Sequence, residues 1–124
     1  MITVGSAVAH MMDKGLSAYQ TSKFAVCRFS EIVAKDYESE GLVAIVAHPG
    51  AVATDLVSFL PEEARQLYFT ETVELAGDTF AWLARERRSW LSGRFIASTW
   101  DMEELEARKD EIVSRDLLKF RLTI

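Results

Sequence analysis

The chain has 124 residues, room for a single domain spanning 1–124 and little more. Hydrophobic residues make up 49% and charged residues 27%, a globular balance that excludes disorder, and a net charge of −5 argues against a nucleic-acid partner, which needs a basic face to displace counterions. One cysteine, Cys27, excludes an intrachain disulfide, and the longest apolar run, Leu42 to Ala47, is too short to span a bilayer, so no membrane partner is expected.

Met1 to Gly15 has no basic leader and no long apolar stretch, so no signal peptide is expected and a cytoplasmic protein is the default. Ile2, Thr3 and Val4 form a short β-prone run, followed by a loop from Ser6 to Gly15. From about Ser17 to Ser39 the pattern is helical: Val26, Phe29 and Val33 recur at spacings of three and four, and Ile32 widens that apolar face. Ser17 is the predicted N-cap, and Gly41 the left-handed residue past the end. Leu42 to Ala47 has the continuous apolar character of a strand buried on both faces, and His48-Pro49-Gly50 stops it.

Residues 51–60 are irregular. Pro61, Glu62 and Glu63 then open a short helix to about Tyr68, with the acids near the positive end of the helix dipole. A second long helix runs from about Glu71 to Arg87, with Leu75, Thr79, Trp82 and Leu83 on its inner side. Arg85, Arg87 and Arg88 crowd its C-terminal end as a solvated, dipole-matched cluster. Gly93 to Ser98 is a third strand, and Asp101 with Glu104 predicts a capping box for a helix to about Val113. Leu118, Phe120, Leu122 and Ile124 then alternate with Lys119, Arg121 and Thr123, as in an edge strand or an extended tail lying on the core. The order β-α-β-α-β predicts an α/β fold with three parallel strands and crossover helices, plus a C-terminal helix and tail.

Tyr19 and Lys23 lie four residues apart on the first long helix, about one turn, so both project from one face. A free phenol, with a pKa of about 10, is a poor base at neutral pH. A neighbouring ammonium favours the phenolate and makes tyrosine a usable general acid/base. Ser6 ends the first strand, where open α/β sheets place ligands, and its hydroxyl can bond a substrate oxygen. It precedes Tyr19 by 13 positions, within the series Ser6, Tyr19-Gln20-Thr21-Ser22-Lys23 and Pro49-Gly50-Ala51-Val52-Ala53-Thr54.

With these residues at these spacings, the chain resembles the C-terminal half of the short-chain dehydrogenase/reductase family from residue 1 to about residue 100. The resemblance implies a partial Rossmann-like, doubly wound fold and reversible hydride transfer between NAD or NADP and a small-molecule alcohol or carbonyl substrate. It further implies that Tyr19 moves the proton, Lys23 holds the nicotinamide ribose and Ser6 orients the substrate oxygen. Tyr19, Lys23, Pro49, Gly50, Val52 and Thr54 would then be the cofactor-binding residues. Phe59, Leu60, Tyr68 and Phe69 fall where the family has its substrate loop, which suggests an apolar substrate.

The glycine-rich dinucleotide loop of the family has no counterpart: neither G-x-x-x-G-x-G nor G-x-G-x-x-G occurs. Two functions are therefore expected in competition. One is a dehydrogenase/reductase that works when a complete cofactor half is present. The other is a truncated, catalytically inactive fragment that is at most an association module, self-associating or pairing with an N-terminal half through its open strand or helix face. Val8 stands where a nucleophile elbow needs glycine, which argues against a hydrolase. His10 and His48 have no ligand set around them, so no metal is expected, and Cys27 reads as a buried structural thiol.

Overall fold

The structure is a computed structural model and describes residues 1–122. Three short strands, β1 (Ile2–Val4), β2 (Ile45–His48) and β3 (Phe95–Ala97), form one sheet in the order β1-β2-β3. Both pairings are parallel, with Ile2 opposite Ile45 and Val46 opposite Phe95. The helices are α1 (Ser17–Asp36), α2 (Glu62–Tyr68), α3 (Val73–Arg85), α4 (Met102–Ala107) and α5 (Lys109–Ser114). The expected parallel α/β arrangement is present.

β2 is central because its residues can be buried on both sides: Ile45, Val46 and Ala47 are all buried. Successive side chains of a strand alternate between faces. Ile45 and Ala47 join Leu83, Leu91, Ile96, Leu105 and Ile112 in the larger core cluster. Val46 joins Cys27, Phe95 and Ala97 in a smaller one under α1. Desolvation in that setting pushes the Cys27 thiol up to about 11, so it stays protonated and inert at neutral pH.

Several boundaries differ from the sequence pattern, each for a local reason. α1 starts at Ser17 itself, with Leu16 in the cap position and no side-chain cap. It ends at Asp36, and Gly41 takes its positive φ (+78°) in the turn that follows rather than directly after the helix. β2 begins at Ile45 rather than Leu42. Before it, the Val43 carbonyl accepts from the amino terminus, and the Ala44 amide donates to the Ser92 side chain rather than to a strand carbonyl. On α3 the expected Thr79 and Leu83 are buried and Trp82 packs partly buried against the core, but Leu75 is exposed and Ala76 is buried. Asp101 does cap α4, accepting from the amides of Glu103 and Glu104, but the single helix expected to reach Val113 breaks at Arg108 into α4 and α5.

The largest correction concerns α1. The predicted apolar stripe is not the face turned to the sheet: Phe29 is 61% and Ile32 47% exposed, while Cys27, Ser30 and Ala34 are buried. Small side chains let the helix lie close to β2. The tail forms no strand among the described residues. It lies on the core, with Leu117 and Leu118 against the larger cluster and Phe120 against the smaller one. Thr123 and Ile124 fall outside the described residues.

Candidate active site

The parallel sheet brings the C-terminal ends of β1 and β2 side by side, with Val4 opposite Ala47. Gly5 extends the pairing by donating its amide to Ala47 O at 2.9 Å. A Cβ on Gly5 would lie 2.4 Å from Val46 Cγ1, so only glycine permits this approach. Ser6 follows, buried, and caps a 3-10 turn over Ala7–His10. Its Oγ accepts from the Val8 amide at 3.4 Å, a long and weak bond. His10 closes the turn, edge-on to Phe95 at 4.5 Å and stacked on Phe120 at 4.4 Å between ring centroids. Desolvation there lowers its pKa.

α1 then carries Tyr19 and Lys23 on one side. Tyr19 is exposed. Lys23 Nζ lies 5.7 Å from the centre of the Tyr19 ring and donates to the Val4 carbonyl at 3.2 Å. Helix and strand are also joined at Ser30, whose hydroxyl donates to Thr3 Oγ1 at 3.2 Å. The structure therefore brings Tyr19 and Lys23 together and ties Lys23 to Val4, the last residue of β1, two positions before Ser6, which lies past the strand rather than at its end. The Ser6 hydroxyl itself is engaged by its own turn.

Pro49 and Gly50 leave β2 at the same end of the sheet. Gly50 is buried with φ +89°, a backbone shape that favours glycine. Val52 is half-buried and forms an isolated parallel bridge with Glu71. Thr54 is exposed, precedes a 3-10 turn over Asp55–Val57 without a side-chain cap bond, and donates its amide to Val52 O. Two features here had no signal in the spacing of motifs. Glu71 Oε2 accepts from the Ala51 amide at 2.8 Å. His48, directly before Pro49, has a buried Nδ1 without a hydrogen-bond partner among the described residues. Burial lowers its pKa, and the Glu71 carboxylate opposes that shift.

Among the described residues there is no group of His, Cys, Asp and Glu suited to a metal ion, and no helix long and apolar enough to cross a membrane.

The profile of the family described as "short chain dehydrogenase" matches residues 1–65. The chain is 41% identical to a short chain dehydrogenase, mpl6, of Monascus purpureus, aligned over all of this chain and 42% of that protein. It is 46% identical to pigC of Monascus ruber over 98% of this chain and 41% of that protein. It is 45% identical to andI of Emericella variicolor over all of this chain and 42% of that protein. The chain thus spans about two-fifths of the length of these curated relatives. A solved double mutant of a Serratia marcescens short-chain dehydrogenase/reductase superposes with a TM-score of 0.63 at 25% identity, over 77% of this chain and 42% of that one. With its partial Rossmann-like sheet and its profile match, the chain belongs to the short-chain dehydrogenase family.

Proposed function

We propose that these residues form the acid/base side of an NAD- or NADP-dependent oxidoreductase site, with Ser6, Tyr19 and Lys23 acting on an alcohol or carbonyl substrate. Lys23 carries this reading, because its ammonium reaches both the Val4 carbonyl and the flank of the Tyr19 ring. Tyr19 gives a proton to a carbonyl oxygen in reduction and takes one from a hydroxyl in oxidation. The ammonium beside it offsets negative charge developing on the phenol oxygen. Ser6 orients the substrate oxygen, and its long bond to the Val8 amide is given up at little cost.

The residues present suit the nicotinamide end of the cofactor. Lys23 has three N–H groups and directs one at Val4, which leaves donors for the ribose hydroxyls. The exposed Thr54 hydroxyl suits the carboxamide, and Pro49, Gly50 and the Val52 backbone supply the surface between. The bound cofactor supplies or accepts the hydride. Phe59 and Tyr68 are 76% and 66% exposed rather than packed into the core, which supports an apolar substrate.

Tyr19→Phe tests this directly in the protein translated from its complete reading frame. Nicotinamide-linked turnover should fall by about 10²–10⁴-fold, the usual share of general acid/base catalysis, while cofactor affinity holds within about twofold. A variant that turns over at the parent rate removes Tyr19 from the mechanism.

A further inference from the structure

Glu71 has no part in the chemistry above, yet it meets the loop after β2 at several points. It sits half-buried immediately before Thr72, the residue that caps α3 by accepting from the Leu75 amide. Its side chain accepts from the Ala51 amide at 2.8 Å, and its own amide donates to Ala51 O at 3.2 Å. The pair is extended by the parallel bridge from Glu71 to Val52. Gly50 is pressed against the same residue: a Cβ there would meet Glu71 Cβ at 3.1 Å and Cγ at 3.2 Å. A carboxylate accepting from a backbone amide makes a charge-assisted bond, stronger than a neutral one.

These contacts join chain positions 20 residues apart. Between them lie residues 53–70, with the exposed Leu56, Phe59, Leu67 and Tyr68. Glu71 therefore closes the neck of a lobe, and the neck is the stretch Gly50–Val52. We infer that Glu71 is a positioning residue that fixes Gly50, Ala51 and Val52 in the shape met by the nicotinamide end of the cofactor. This rests on the proposed oxidoreductase reading, in which that loop faces the cofactor. Glu71 acts through the loop and touches no reacting atom.

Two measurements on the protein from the complete reading frame test the inference, using Glu71→Ala and Glu71→Gln. Amide hydrogen exchange reads the clamp without any turnover. Exchange at Ala51 should accelerate about tenfold or more in Glu71→Ala and stay within about threefold of the parent in Glu71→Gln, which keeps an acceptor oxygen. The Val46 amide, bonded to Arg94 O in the sheet, should be unchanged in both and so reports intact folding. In steady state, Glu71→Ala should raise the KM for NADH or NADPH about tenfold with kcat within about threefold, and Glu71→Gln should restore it. Unchanged Ala51 exchange in Glu71→Ala overturns the clamp. A fall in kcat with KM unchanged, or a Glu71→Gln variant as impaired as Glu71→Ala, overturns the positioning role. A parent that oxidises neither NADH nor NADPH with any carbonyl substrate sinks the oxidoreductase reading and the cofactor role of Glu71 with it, while the exchange data still decide the clamp by themselves.

Discussion

The two faces of the sheet are built from different materials. On one side, Ile45, Ala47 and Ile96 meet Leu83, Leu91, Leu105 and Ile112, branched residues drawn from α3, α4, α5 and the turn before β3. On the other, α1 turns Cys27, Ser30 and Ala34 inward, with Cys27 in the cluster of Val46, while Phe29 and Ile32 are exposed and Phe24 packs edge-on against Phe120 of the tail. Apolar burial stabilises the first face. The second relies on close approach and on polar ties, Ser30 to Thr3 and Lys23 to Val4. The helix bearing the candidate acid/base pair thus buries small or polar side chains, whereas α3, α4 and α5 bury Leu83, Leu105 and Ile112 among aliphatic neighbours.

Substitutions on each face sharpen this contrast. Ile96→Ala, in a fully buried site, should cost about 2–5 kcal/mol in urea denaturation, the range for emptying a packed aliphatic position. Ser30→Ala removes one buried hydroxyl bond and should cost only about 1 kcal/mol, with faster amide exchange confined to α1 and β1. A Ser30→Ala loss as large as that of Ile96→Ala would show that α1 carries the stability after all.

The smallest effect comes from acid. The Lys119 ammonium, with Arg121 and Arg94 behind it, holds the Asp116 carboxyl down from 3.8 to about 2. A depressed folded value means the stabilisation is complete above about pH 3.8 and is lost as pH falls through 2. Asp116 is about half exposed, so screening keeps the contribution below about 1 kcal/mol. Exchange at the Phe95 amide, which donates to Leu118 O in the tail, should rise over that window while core amides hold. No change at Phe95 down to pH 2 would separate the tail from this charge cluster.

The strands, their parallel order and most helices were legible because each has a local cause. β-branched Ile45 and Val46 mark a buried strand, Asp101 marks a cap, and Tyr19 and Lys23 share a face by helical period. The facing of α1 was not legible, since periodicity finds an apolar stripe but does not say whether the sheet or the outside receives it. Cys27, Ser30 and Ala34 win the inner position through size, a property of the contact with β2 rather than of the helix alone. Glu71 was equally hidden. Nothing in its neighbours announces that a glutamate 20 residues downstream accepts the Ala51 amide, because the pairing is made by the return path of the lobe.

The turn that lays the tail on β3 has left-handed backbone at Asp116 (φ 49°) and Leu118 (φ 63°). For a leucine this shape costs about 1–2 kcal/mol. In return, the Leu118 carbonyl occupies the Phe95 amide on the outer rim of β3. No strand borders β1 on its far rim among the described residues. Sideways growth of the sheet is therefore one-way: a fourth strand has a vacant berth beside β1, whereas beyond β3 it would first have to strip the tail.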